Sequence, residues 1–130
     1  MLNFHRLKLT HKQPVYIQIA TYVKLQILLG NATHGDKLPS RREVAAQLQV
    51  NPNTVQKAFK LMEDEGYVRT SSTLGSEIEV DERMLRHIQD EMTHKLVSEF
   101  IDSAKEMNLS FEHVWSLLRD LWSRDDRSGS

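Results

Sequence analysis

From Val15 to Leu29 the apolar stripe Tyr16, Ile19, Ala20, Val23 and Ile27 keeps helical spacing, which predicts an amphipathic helix ending at Gly30-Asn31. Ile17, Leu25, Leu28 and Leu29 spread apolar character round more of its circumference, as expected of a helix touched by more than one neighbour. Upstream, residues 1–13 show little periodicity, and Phe4 with Leu7 or Leu9 is expected to pack as a short extended arm. Thr33–Leu38 reads as a loop, and no internal repeat or low-complexity segment is present.

Between Leu38 and Gly66 the pattern resolves into two short helices with a tight connection. The first opens at Ser40-Arg41-Arg42-Glu43, where Ser40 accepts from the Glu43 backbone N–H while the Glu43 carboxylate reaches back. Val44, Ala45 and Leu48 form its apolar stripe, and Val50 ends the turn. Asn51 suits the N-cap of the second helix and Pro52 its first position, where a missing N–H costs nothing. Val55, Ala58, Phe59 and Met62 stand on one buried face, leaving Asn53, Thr54, Gln56, Lys57 and Lys60 outward; Gly66 stops the helix in the left-handed region. Tyr67–Ser71 and Glu77–Val80 are β-prone runs separated by Ser72–Ser76, which contains the turn residue Gly75. Two helices followed by a hairpin predict a winged helix-turn-helix.

A new helix starts at Asp81-Glu82, whose charges favour its dipole. Leu85, Ile88, Met92, Leu96, Phe100 and Ala104 trace one stripe, widened by Val97, Ile101 and Met107. Asn108 terminates it, Ser110 caps the next helix, and Phe111, Val114, Trp115, Leu118, Leu121 and Trp122 give that helix an apolar face. Arg124–Ser130 is polar and expected to fray. The expected fold is mainly α with a small β-hairpin: a winged helix-turn-helix over residues 1–80, then a C-terminal helical hairpin over residues 81–130.

The outward face of the second short helix gives the chemistry. Amides, a hydroxyl and ammonium groups near a helix N-terminus suit base edges and phosphate oxygens in a DNA groove. The tail carries more apolar surface than a lone hairpin buries. It is expected to pair with its copy through Leu85, Ile88, Met92, Leu96, Phe100, Trp115, Leu118 and Trp122 rather than fold back on the DNA-binding half.

Pro14-Val15-Tyr16-Ile17-Gln18-Ile19, Gly35-Asp36-Lys37-Leu38-Pro39-Ser40 and Asn51-Pro52-Asn53-Thr54-Val55 together resemble the GntR family of bacterial transcription regulators, closest to its YtrA-like subfamily, over roughly residues 4 to 80. The resemblance implies a homodimer joined by a short helical tail, acting on a double-stranded DNA operator that is roughly palindromic, usually as a repressor. Many members carry arginines that reach guanine where Pro52 and Gln56 stand, so this chain is expected to read other bases. Gln56 is suited to bidentate contact with adenine, and Asn53 is a second candidate. Arg42 matches the family's arginine at the start of the second helix. The DNA-binding set is then Ser40, Arg42, Asn53, Thr54, Gln56 and Lys57, with Arg41 and Lys60 on phosphates and Asn51 chiefly capping. Arg69, Thr73 and Gly75 are the wing's candidates, although the Glu77 carboxylate would repel phosphate if it faced the duplex.

Composition narrows the classes. The chain has 130 residues and no cysteine, which removes disulfides, thiolate metal sites and cysteine nucleophiles and suits a reducing cytoplasm. No membrane-crossing stretch or signal-peptide core is seen. The net charge of −1 divides into +3 for residues 1–80 and −4 for residues 81–130, so the acidic half is turned from DNA. His87 and His94 lie near one helix face, but without cysteine and with scattered carboxylates no metal is expected there. No phosphate loop, activated nucleophile or spaced carboxylate pair points to an enzyme, and no cofactor is expected. Two alternatives stay open: a helix-turn-helix protein-interaction module docking through its acidic tail, and a sensor with a small-molecule effector between Trp115 and Trp122.

Overall fold

The computed structural model describes residues 1–129, with side chains through Arg124. In chain order it forms α1 (Val15–Leu28), α2 (Arg41–Leu48), α3 (Pro52–Glu65), β1 (Val68–Ser71), β2 (Gly75–Ile78), α4 (Glu82–Glu106) and α5 (Phe111–Gly129). The chain divides into two compact units, Met1–Gln89 and a second starting at Asp90, so the division falls inside α4.

The first unit is built on α3, which packs against α1, α2 and β1. Its buried face is the expected one: Val55, Ala58, Phe59 and Met62 are fully enclosed, against Ile19 and Val23 of α1 and Val44 of α2 within the same core. Each of these side chains larger than alanine contributes about 1.5–3 kcal/mol by leaving water. Both caps form as the sequence dictates. Ser40 Oγ accepts from Glu43 N at 3.1 Å while Ser40 N donates to Glu43 Oε1 at 3.0 Å, and Asn51 Oδ1 accepts from Asn53 N at 2.8 Å. Between the two helices Gln49 takes the left-handed conformation (φ +56°), which turns the chain sharply into α3. Gly66 ends α3 at φ +92°, and a Cβ there would lie 3.4 Å from Met84 Cε, so the first turn of α4 closes over this corner.

The arm at the N-terminus is integral to the core: Leu2 and Phe4 are buried, and the Phe4 ring lies 5.3 Å from that of Tyr22. Tyr67, also buried, donates its hydroxyl to Ala20 O at 3.2 Å and carries Lys24 over its ring.

The hairpin differs from the sequence expectation in its bounds. β1 and β2 are antiparallel with Val68 opposite Ile78 and Ser71 opposite Gly75, so the second strand begins two residues before Glu77. Gly75 at φ +73° closes a three-residue turn that a side chain would strain, and Ser71 Oγ accepts from Leu74 N at 2.9 Å. Residues 35–38, expected as loop, pair with the outer edge of β2: Gly35 N donates to Ile78 O (2.8 Å), Ile78 N to Asp36 O (2.8 Å) and Leu38 N to Ser76 O (3.0 Å). An unpaired strand edge leaves backbone donors and acceptors unsatisfied, which this segment corrects.

In α4, Asp81 Oδ1 caps the helix by accepting from Met84 N at 2.8 Å. Ile88 is 1% exposed and Leu85 half-buried, both inside the first unit. Ile88, expected on a dimer face, is covered by its own chain, because the opening turns of α4 complete the core beneath Gly66. In the second unit Asn108 (φ +58°) breaks α4, and Ser110 Oγ accepts from His113 N at 3.2 Å at the head of α5. The backbone of α5 continues helically to Gly129, where the sequence predicts fraying; Ser130 and the side chains after Arg124 lie outside the described residues.

Candidate nucleic-acid interface

The outer face of α3 is polar from its first turn. Asn53, Gln56, Lys57 and Lys60 are exposed and Thr54 is half-buried, while Ser40 and Arg42 stand exposed at the head of α2. Asn51 is occupied by its cap, and the Ser40 hydroxyl is turned to Glu43. The Glu43 carboxyl is held below its ordinary range by hydrogen bonds from Ser40, so it stays ionised as the cap requires. Gln56 and Asn53 present amides that can donate and accept at once, which is the pattern an adenine edge demands. The N-terminus of α3 adds the positive end of a helix dipole, its first N–H groups being taken up by Asn51.

The cations divide into two kinds. Lys57 extends over the Tyr16 ring, 4.5 Å from its centroid, and is otherwise exposed. Arg42 is likewise exposed, whereas three others are held by carboxylates: Lys60 by Asp64 at 3.4 Å, Arg69 by its cross-strand partner Glu77 at 3.4 Å, and Arg41 by Glu63 at 3.5 Å. Arg41 also lies 5.0 Å over the Phe59 ring, and its Nε is buried without a hydrogen-bond partner. Arg41, expected on phosphate, has its half-buried stem where α2 and α3 meet and ties the two helices together through Glu63.

Sequence reasoning missed Tyr16, Glu63 and Lys37. Lys37 Nζ lies 3.2 Å from Glu77 Oε2 and donates to Leu74 O at 2.8 Å, so it fastens the wing from below. Glu77 therefore sits between Lys37 and Arg69, which hold its carboxyl below the ordinary range, and its charge is compensated within the wing. Thr73 lies exposed in the wing's turn, and Gly75, also exposed, opens β2. The Lys60–Asp64 pair has a legible four-residue spacing, but the partners Arg41–Glu63 and Lys37–Glu77 come together only through the fold.

In the second unit Leu96, Phe100, Trp115, Leu118 and Trp122 are 44–70% exposed and Met92 is half-buried. Trp115 and Trp122 flank, with Leu118, Arg119 and Ser123, an apolar recess of about 270 Å³. His94 Nδ1 lies 3.3 Å from Ser98 Oγ. Among the described residues no group of His, Cys, Asp and Glu has the geometry to hold a metal ion, and no helix is long and apolar enough to cross a membrane.

Residues 15–78 match the model of bacterial regulatory proteins of the gntR family. The chain is 34% identical over 102 residues to the HTH-type transcriptional regulator YhcF of Bacillus subtilis (strain 168), covering 78% of this chain and 84% of that one. To the HTH-type transcriptional repressor YtrA of the same organism it is 46% identical over 65 residues, half of each chain. Among solved structures it is similar to a GntR family transcriptional regulator from Listeria monocytogenes, with TM-score 0.76 and 28% identity over 86% of this chain and 98% of that one. It is also similar to YtrA from Sulfolobus acidocaldarius, a GntR-family transcription factor, with TM-score 0.56 and 30% identity over 74% of this chain and 99% of that one.

Proposed function

The chain belongs to the GntR family of transcriptional regulators and carries its DNA-binding helix-turn-helix, and on that premise we propose that it represses transcription as a homodimer on a roughly palindromic operator. The observation that carries this reading is the outer face of α3, where Asn53, Thr54, Gln56 and Lys57 stand together and, as for the exposed Arg42 of α2, no carboxylate among the described residues is bound to them. Gln56 and Asn53 read base edges, Arg42 and Lys57 fix register, and Lys60 exchanges Asp64 for a phosphate on binding. Ser40 and Asn51 set the two helix starts.

The uncovered apolar side chains of α4 and α5, among them Leu96, Phe100, Trp115 and Trp122, support pairing with a second copy. Residues 1–80 are then the DNA-binding domain and residues 81–130 the dimerisation region, apart from the first turns of α4, which complete the DNA-binding core. Two related subunits would engage half-sites about one helical turn apart or a multiple. The repressor reading is supported by the likeness to the repressor YtrA of Bacillus subtilis. Transcription in vitro from a promoter that the protein binds tests it: added protein lowers transcript, and a rise would reject repression.

A further inference from the structure

Residues 1–35 contain Arg6, Lys8, Lys12 and Lys24 but no acidic residue. Lys24 is neutralised by Glu65 at 2.7 Å, whereas among the described residues no carboxylate pairs with Lys8 or Lys12. They share this with Lys57 and Arg42 of the helix-turn-helix and differ from Arg41, Lys60 and Arg69, each held by a carboxylate.

The arm that carries these lysines is fixed at both ends. Leu2 N donates to Lys37 O at 3.0 Å, and Phe4 N donates to Gln47 Oε1 at 3.1 Å. Further on, Gln18 of α1, 9% exposed, makes three hydrogen bonds to the loop before it: Thr10 N donates to Oε1 at 2.9 Å, and Nε2 donates to Thr10 O and Gln13 O at 2.8 Å each. Exposure alternates between these anchors. Leu7 and Leu9 turn inward, half-buried, and with His5 line a recess against Leu48 and Gln49 at the turn into α3; Lys8 and Lys12 stand exposed. The arm thus passes Gln49, three residues before α3, and ends just before Tyr16, whose ring lies beneath Lys57 of the second turn of α3. Arg6 departs from this edge, lining a separate recess with Tyr22 and Gln26.

We propose that Lys8 and Lys12, on an arm ordered before binding, grip the phosphate backbone of duplex DNA beside the groove that α3 enters. Because the arm is already fixed by Gln47 and Gln18, little ordering cost accompanies the grip. Phosphate contacts carry no sequence information, so the arm sets affinity and position while α3 sets preference. The inference rests on the reading of α3 as the DNA-binding element.

The test is fluorescence anisotropy on a labelled random-sequence duplex of about 30 base pairs, long enough for two half-sites. The full chain, its Lys8→Gln/Lys12→Gln form and a charge-matched Lys95→Gln/Lys105→Gln form are titrated across a range of salt. All four lysines lie outside the core, so folding is retained. The slope of log affinity against log salt falls by about 0.9 for each phosphate that the protein no longer neutralises, so the arm variant should show a slope shallower by about 1.8 per bound protomer and the control should match the parent. An arm variant indistinguishable from the control would overturn the inference while leaving the DNA reading of α3 intact. A parent chain with no salt-dependent duplex binding would overturn both.

Discussion

Arg41 and Glu63 meet at 3.5 Å across the junction of α2 and α3, with the guanidinium 5.0 Å over the Phe59 ring. The angle at which α3 leaves α2 decides which of its side chains reach a groove, so this pair acts on recognition by holding the reading helix. Arg41→Ala should destabilise the fold by about 1 kcal/mol, mostly by removing the packed stem and the cation–π attraction, because the ion pair is partly solvated. Urea unfolding measures that change, and the preferred duplex should stay the same. A changed base preference with unchanged stability would return Arg41 to the DNA.

Asn51 fastens the same helix at its start. Asn51→Ala removes the acceptor for Asn53 N and should cost about 1 kcal/mol, whereas Asn51→Asp keeps the cap. Thermal unfolding of the two variants separates capping from any bond Asn51 makes to a base. Equal destabilisation in both would point away from the cap.

How much of this was legible follows from which forces act locally. The two caps, the buried face of α3 and the stop at Gly66 depend on residues a few positions apart, and they stand where the pattern puts them. The partners of Arg41 and Lys37 lie far along the chain, so nothing in local spacing announced that these cations were already neutralised. The stripe of α4 shows the same limit. Ile88 and Leu96 share it, yet one is 1% exposed and the other 70%, because periodicity identifies a face without saying what covers it.

Glu77 gives the wing a pH dependence. Its carboxyl titrates below the ordinary range, through the hydrogen bond from Lys37 first and then the charges of Lys37 and Arg69. A depressed folded-state pKa contributes stability that is complete above the unfolded value, near pH 4.3, and is lost as pH falls through the folded value. Urea midpoints from neutral pH to about pH 3 should therefore fall less steeply in Glu77→Gln than in the parent, with the difference confined to the acid end. Parallel curves would show that Lys37 and Arg69 do not hold the carboxylate.

Phe100 is 50% exposed on α4 in the second unit. If a second copy covers that face, Phe100→Glu buries a charge at the interface and should weaken association by at least about 2 kcal/mol, roughly thirty-fold in the dimer dissociation constant. Sedimentation equilibrium reads it directly. A parent chain that stays monomeric at micromolar concentration would remove the dimer from the account.

The central claim is that the polar face of α3 reads bases, and Gln56 is its sharpest instance. Selection of bound duplexes from a random pool, run in parallel with the parent and Gln56→Ala, tests it most directly. The parent should enrich a sequence repeated with twofold symmetry, and the variant should lose preference at one base of each half-site, by about 1–3 kcal/mol. Identical preferences in both, or no enrichment by the parent, would contradict it.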